Sequence, residues 1–260
     1  MKDIKKIYIS GGSQCIGGGF NWPEVKKVYN EIYNLQIENH LDVAYPTIVG
    51  KHFNVPVVNE GDFGGSVHRL LRLTYDYIFK NINDLNDTLF IIEIPPGWRE
   101  EVYSNELKRT VNMTIGNILS PDDPTDFAGG NDKKDLHKIH KVISSYFESF
   151  VDYDFELDKW MRGILGLLSY FKLNNLKYIL IDTGDFQHFL FRNKVKGDYN
   201  YIWFDGPNWP YNTTPMTHWL TEQKLLIKDE TNGLATDEHM GIEAHKIVAN
   251  RIINYINEKL

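Results

Sequence analysis

Short, continuous apolar segments alternate along the chain with stretches in which apolar residues recur at helical spacing. This alternation limits the folds open to the chain. Candidate strands lie at 7–9, 55–58, 89–94 and 178–181, with a further short one at 201–204. Candidate amphipathic helices lie at 25–32, 67–78, 136–150, 160–171 and 245–256. Strands that are apolar throughout are typical of a parallel sheet covered by helices on both faces. The pattern therefore predicts an α/β fold with a mostly parallel sheet.

A chain of 260 residues and 30.3 kDa suits one large domain or two small ones. No internal repeat interrupts the alternation of strands and helices, and the pattern resumes after a Pro-, Asp- and Gly-rich loop at 120–134. We therefore predict a single domain over residues 1–260, with insertions around 120–134 and 184–219.

Composition excludes several classes of function. The chain carries 28 Lys and Arg against 35 Asp and Glu, a net charge of −7, whereas nucleic-acid binders usually present a basic surface. No segment approaches the ~18 apolar residues of a membrane span, and the apolar stretch near the N-terminus is too short for a signal peptide. The single cysteine, Cys15, cannot form an internal disulfide. We expect a cytoplasmic protein that binds neither nucleic acid nor membrane.

The glycine-rich segment 11–19, Gly-Gly-Ser-Gln-Cys-Ile-Gly-Gly-Gly, follows the first strand. A dinucleotide-binding loop needs a further glycine where Trp22 stands, and a P-loop needs a Gly-Lys-Ser/Thr sequence that is missing here. A third interpretation makes Ser13 a nucleophile on a tight turn, near backbone N–H groups that could hold an oxyanion. In the plainer alternative, Ser13 only caps the next helix.

Two later segments could complete such a site. A second glycine-rich turn, residues 59–66, contains Gly64 and Gly65, either of which could offer a second N–H to an oxyanion. Near the C-terminus, His239 lies in a polar turn just before a helix, with Asp237 two residues earlier. A histidine with a carboxylate to orient it is suited to general-base catalysis. His245 instead falls on the apolar stripe of the last helix and is expected to be a core residue.

Taken in chain order, these motifs resemble the SGNH (GDSL-like) hydrolase superfamily. The resemblance rests on the 11–19 segment followed by Trp22-Pro23, on the glycines at 64–65, and on the run from His239 through Gly241 to His245. It implies a three-layer α/β/α sandwich with about five strands. It also implies ester hydrolysis through an acyl-enzyme without a cofactor or metal, and SGNH proteins of this type occur in phages as well as in cells.

The resemblance assigns roles residue by residue. Ser13 would be the nucleophile, His239 the general base and Asp237 its orienting partner, while the N–H groups of Ser13 and of Gly64 or Gly65 would line the oxyanion hole. Superfamily members usually supply a third donor after the third strand, where this chain has Pro95, which has neither a side-chain nor a backbone donor. Arg99, a few residues later, is a candidate for binding substrate or oxyanion.

The aromatic-rich segment 186–219 predicts one wall of a substrate site, with Trp209 as its candidate contact, because flat aromatic faces can stack on sugar rings. The leading hypothesis is a serine esterase or acylesterase whose substrate is a small-molecule ester or an O-acyl or O-acetyl group on a glycan. An alternative, motivated by Pro95, is an SGNH-like binding or assembly module with little hydrolysis. A third makes Cys15 the nucleophile. His137 and His140 have helical spacing for a metal, but no further ligand is evident beside them.

Overall fold

The structure is a computed structural model of the chain. It describes residues 4–95, 99–104, 108–114, 153–183, 213–235 and 237–260, with shorter pieces at 145, 186, 189, 199–202 and 204–205. The predicted insertion at 120–134 and the residues His137 and His140 lie outside the described residues. The predicted insertion at 184–219 is described only in part.

The strands of the main sheet alternate with helices as the apolar pattern predicts, and further short strands and helices lie between and after them. The strands are β1 Lys6–Ser10, β2 Val57–Asn59, β3 Thr88–Ile94, β4 Arg99–Ser104, β5 Arg109–Thr114, β6 Lys177–Asp182, β7 Phe204–Asp205 and β8 Thr213–Thr214. The α-helices are α1 Pro23–Tyr33, α2 Tyr45–Phe53, α3 Val67–Lys80, α4 Tyr153–Leu173, α5 Met216–Glu222, α6 Ile227–Glu230 and α7 Ile242–Lys259. Short 3₁₀ turns are formed by Ser13–Ile16, His40–Asp42 and Leu85–Asp87.

The main sheet has four strands in the order β2-β1-β3-β6, and every neighbouring pair is parallel. In such a sheet the chain leaves β1 toward one side for β2 and returns to the other side for β3. Ligand sites of open parallel sheets lie at this switch point, in the crevice beyond the carboxyl ends of the two strands. The segments that follow β1 and β3 are therefore the first place to look for a site.

Alternate residues of each central strand belong to two separate cores, because successive side chains of a strand point to opposite faces. Ile7 and Ile9 pack in a core with apolar residues of α2 and α7. Tyr8 packs on the opposite face with apolar residues of α3 and α4. The sheet thus lies between two helical layers, which confirms the predicted three-layer α/β/α class.

Several elements differ from the sequence-based expectation. Strands β4 and β5, which pair with each other antiparallel, and the short helices α5 and α6 were not predicted. Helix α2 was not predicted, because the short segment 45–53 carries a proline and a glycine and shows no long amphipathic repeat. The short strand expected at 201–204 is reduced to a single parallel bridge between Tyr201 and Leu180, followed by β7 in a separate small ladder with β8. Within the described residues, the parallel sheet therefore has four strands and one bridge.

No helix in the described part of the chain is long and apolar enough to cross a membrane.

Candidate active site

The Ser13 turn, residues 11–19, follows β1 at the carboxyl edge of the sheet. Gly11 lies directly against β3, because a Cβ on it would come within 2.6 Å of the Glu93 Cβ. The 3₁₀ turn from Ser13 then redirects the chain, and Gly17 ends it in the left-handed conformation, at φ 72°, which glycine adopts without steric cost. These glycines let a tight turn sit in the crevice between β1 and β3, with Ser13 at its head.

The structure brings Ser13, His239 and Asp237 together. The Nε2 atom of His239 lies 2.9 Å from the Ser13 Oγ, although 226 residues separate them in the chain. On the other side of the ring, Nδ1 lies 2.7 Å from the Asp237 Oδ1. Both distances are within hydrogen-bond reach, the arrangement expected of a nucleophile, a base and its orienting group.

Asp237 holds His239 by its backbone as well as by its ring. The Asp237 Oδ1 also accepts the backbone N–H of His239, at 2.7 Å. Burial alone would raise the pKa of Asp237, but the hydrogen bonds and the charge of His239 act against it and hold the pKa below its ordinary value. A spacing of two residues therefore suffices, because one carboxylate oxygen spans the backbone and the ring of His239.

Two glycines of the Ser13 turn form the seat of this His–Asp pair. A Cβ on Gly18 would lie 2.5 Å from the Cδ2 and 2.9 Å from the Nε2 of His239. Gly19, at φ +88°, approaches the carboxylate, since a Cβ there would lie 2.8 Å from the Asp237 Oδ1. Gly18 and Gly19 thus leave room for the His239 ring and the Asp237 carboxylate, with which any side chain at these two positions would collide.

The loop that carries His239 is tied to its surroundings on both sides. The backbone N–H of Ile227, at the start of α6, donates to the His239 carbonyl at 2.9 Å, and the N–H of Lys228 donates to the Asp237 carbonyl at 3.0 Å. From the Ser13 turn, the Gln14 side-chain oxygen accepts the Met240 N–H at 3.0 Å. These bonds fix the relative position of the two segments that meet at the site.

The second glycine-rich turn distinguishes between Gly64 and Gly65. The Gly65 N–H donates to the Asp62 carbonyl at 3.1 Å, and a Cβ on Gly65 would lie 2.7 Å from the Gly11 carbonyl oxygen. Gly65 therefore closes the turn and packs it against the Ser13 turn. Gly64 takes a positive φ of 64°, and its N–H has no acceptor within the described part of the chain. The geometry favours Gly64 as the free donor.

This turn is fastened to the Ser13 turn and to α3. The Asn59 side-chain amide donates to the Cys15 carbonyl at 2.7 Å. Arg69 of α3 donates to the Glu60 carbonyl and lies within ion-pair distance of Asp62. The ring of Phe63 then stands edge-on to the His239 ring, with centroids 6.5 Å apart. Phe63, which sequence reasoning did not single out, gives the site an apolar wall.

Arg99, the first residue of β4, reaches the same place. Gly12 immediately precedes Ser13, and a Cβ on Gly12 would lie 3.4 Å from the Arg99 Nη1. Burial lowers the pKa of the Arg99 guanidinium, while the charge of Glu93 acts in the opposite direction. Pro95 is buried beside Gly12 as well. The structure therefore places a cationic group beside the Ser13 turn.

Glu93, like Phe63, is a residue of this region that sequence reasoning missed. Only 1% of it is exposed, yet it is an acid in the otherwise apolar end of β3. Its Oε1 accepts the Gly12 N–H at 2.9 Å, and its Oε2 accepts the Tyr45 hydroxyl at 2.7 Å. A lone carboxylate in a fully buried strand is rare, and that anomaly was the available signal.

The remaining sequence candidates either have buried side chains that do not join the Ser13–His239–Asp237 group or lie outside the described residues. The Cys15 thiol is buried and donates to the Gly12 carbonyl at 3.1 Å, and burial raises its pKa, so the structure does not support Cys15 as a nucleophile. His245 is a buried core residue whose Nδ1 accepts the Tyr45 N–H, and burial lowers its pKa to about 3. Among the described residues, no group of three potential metal ligands exists. Trp209 lies outside the described residues.

Comparison with known proteins gives matches at the level of structure only. No protein-family model matches the chain, and no curated protein matches it. Similar solved structures include G-D-S-L lipolytic proteins and esterases.

Three of these structures illustrate the likeness. A member of the lipolytic protein G-D-S-L family from Veillonella parvula is 11% identical, with a TM-score of 0.32 over 97% of this chain and 98% of that one. A catalytic mutant of an acetylxylan esterase from Geobacillus stearothermophilus is 14% identical, with a TM-score of 0.36 over 98% and 95%. The psychrotrophic esterase EstA from Pseudoalteromonas is 10% identical, with a TM-score of 0.40 over 98% and 97%. At these identities and scores the likeness carries no argument about activity, which rests on the geometry of the site.

Proposed function

We propose that the protein is a serine ester hydrolase that works through an acyl-enzyme. The observation that carries the proposal is the continuous hydrogen-bonded line from the Ser13 Oγ through the His239 ring to Asp237. These three groups lie in the crevice at the switch point of the sheet, where a ligand of an open parallel sheet is expected.

In the first half of the reaction, the Ser13 Oγ attacks the ester carbonyl carbon, and His239 Nε2 takes the hydroxyl proton. Asp237 accepts the Nδ1–H bond and stabilises the imidazolium that forms. When the tetrahedral intermediate collapses, the bond to the alcohol breaks and His239 gives its proton to that alcohol. The acyl group then remains bound to Ser13.

In the second half, a water molecule replaces the alcohol. The oxygen of the water attacks the acyl carbon while His239 takes a proton from that water. When the bond between the Ser13 Oγ and the acyl carbon breaks, His239 gives the proton to the Ser13 Oγ and the free acid leaves. The same three residues thus carry both halves without a cofactor.

The negative charge on the carbonyl oxygen needs donors in both halves. In the proposal, the N–H groups of Ser13 and Gly64 supply two of them. The guanidinium of Arg99 takes the place of the donor that Pro95 cannot provide, because its Nη1 lies beside Gly12. Gly65 acts by packing, since its N–H is used within the turn.

We further propose that the ester is a small-molecule ester or a short acyl group, such as acetyl, on a glycan. The aromatic segment that ends in Trp219 supports this choice, because aromatic faces stack on sugar rings, and Trp209 is the proposed contact. Hydrolysis of p-nitrophenyl acetate and acetate release from acetylated glycans test the activity, with Ser13→Ala as the inactive control. A Trp209→Ala variant with unchanged affinity and turnover on a glycan substrate would exclude the aromatic wall.

A binding or assembly module with little hydrolysis is the second candidate, favoured by the loss of the usual third donor at Pro95. It predicts saturable binding to a glycan or protein together with no turnover over a broad ester panel. Turnover that depends on Ser13 would exclude this candidate.

A further inference from the structure

The buried carboxylate of Glu93 is hydrogen-bonded to the segment that carries the proposed nucleophile, Ser13. Its Oε1 accepts the N–H of Gly12, the residue immediately before Ser13, at 2.9 Å. Its side-chain stem also packs against Gly11, where any added Cβ would lie 2.6 Å from the Glu93 Cβ. The conformation of the turn on either side of the Gly11–Gly12 peptide therefore depends on where this one side chain sits.

The second carboxylate oxygen is held by the helical layer that contains α2. The Tyr45 hydroxyl, at the start of α2, donates to the Glu93 Oε2 at 2.7 Å. Both residues are fully or almost fully buried, so solvent contributes little to orienting the carboxylate. Glu93 thus links α2 to the turn that bears Ser13.

Among the described residues, three other titratable or charged groups face Glu93 from the elements packed around it. They are Tyr45 from α2, Cys15 from the Ser13 turn and Arg99 from β4. Burial raises the pKa of Tyr45 and of Cys15 well above their ordinary values, so both stay protonated near neutral pH. Burial raises the pKa of Glu93 to about 7, against the bonds from Tyr45 and Gly12 and the charge of Arg99. Of this group, Glu93 is the one that changes charge near neutrality.

We propose that Glu93 is a positioning residue whose ionised carboxylate fixes the Gly12–Ser13 segment and Arg99 in their reactive arrangement, so that the site gains competence when Glu93 loses its proton. The inference rests on the proposed ester hydrolysis. A charged acceptor binds an N–H more strongly than a neutral one, and the ionised carboxylate attracts the Arg99 guanidinium, which the neutral acid does not. Protonation would weaken both restraints at once.

A first experiment follows the Gly12 amide by NMR as a function of pH. In the wild-type protein the Gly12 N–H resonance should shift with a midpoint near pH 7, and in Glu93→Gln this titration should vanish. The readout needs no substrate and no turnover. A wild-type Gly12 resonance that does not titrate between pH 5 and 9 would overturn the proposal.

A second experiment measures the rate at which a fluorophosphonate labels Ser13, at pH 8. Glu93→Gln should label roughly tenfold more slowly, because a charge-assisted bond becomes a neutral one. Its Tm, measured alongside, shows whether the variant is folded. The matched control is Glu230→Gln, which changes another carboxylate bonded to a tyrosine hydroxyl, that of Tyr29, and should label at the wild-type rate.

A third variant keeps the proposal testable if Glu93→Gln does not fold. The Tyr45 bond lowers the Glu93 pKa, so Tyr45→Phe should move the inflection of the labelling rate to higher pH. An unmoved inflection, or a folded Glu93→Gln protein that labels at the wild-type rate, would overturn the role of Glu93. Failure of the wild-type protein to label at all would instead overturn the proposed function.

Discussion

The close fit of Gly18 against His239 predicts that one methyl group, on a residue without chemistry of its own, disables the site. An alanine Cβ at position 18 would lie 2.5 Å from the Cδ2 and 2.9 Å from the Nε2 of His239, and 2.8 Å from the Ser13 carbonyl oxygen. Ordinary contacts at a Cβ begin at 3.4 Å, so the ring would have to retreat by about 1 Å, a misplacement that can cost about 10²-fold in rate. The Ser13–His239 distance, 2.9 Å in the wild type, would then exceed hydrogen-bond length.

The assay is the kcat/KM for p-nitrophenyl acetate and the labelling rate with a fluorophosphonate, alongside the Tm. Gly18→Ala should lose about 10²-fold in both rates while overpacking lowers the free energy of unfolding by ~1–3 kcal/mol. Gly166→Ala on α4 is the matched control, because within the described residues its Cβ would meet only the Tyr75 hydroxyl, at 4.0 Å. If the wild-type protein is active and a folded Gly18→Ala protein has the same rates, the reasoning about how Gly18 positions His239 is refuted.

Three further predictions concern the same site. Asp237→Asn removes the charge that stabilises the imidazolium, so kcat should fall by roughly 10³–10⁴ with little change in KM; a loss below tenfold in steady-state kinetics would contradict this role. Gly65→Ala places a Cβ 2.7 Å from the Gly11 carbonyl, and differential scanning calorimetry should show a lower Tm by several degrees, whereas an unchanged Tm would mean that the two turns are not in contact. Treatment with iodoacetamide should leave hydrolysis unchanged because the Cys15 thiol is buried and protonated, and loss of activity in step with alkylation would reopen Cys15 as a nucleophile.

The sheet and most of its helices could be predicted because their signal is local. The continuous apolar run at 89–94 indicates a strand, and the apolar residues of α3 recur at helical spacing. Ser66 is the N-cap of α3, and its Oγ accepts the Arg69 N–H at 3.1 Å. Helix α2 escaped prediction because its burial comes from contact with α7 and not from a long amphipathic pattern of its own.

The residues of the site also divide into those with a local sequence signal and those that depend on distant contacts. Ser13, Asp237 and His239 were found through their spacing in short motifs, and the structure brings them into contact. Whether Gly64 or Gly65 offers its N–H depends on a turn hydrogen bond that no spacing rule reveals. Glu93 meets Gly12 across 81 residues of chain, so its part in the site emerges only when β1 and β3 pair.

The most direct test of the central claim is the mass-spectrometric identification of the residue that a fluorophosphonate modifies. The account predicts a single adduct on the peptide that contains Ser13, slowed strongly in His239→Ala and absent in Ser13→Ala. An adduct on another residue, or no adduct on the folded wild-type protein, would contradict the claim that Ser13, His239 and Asp237 form a working nucleophilic site.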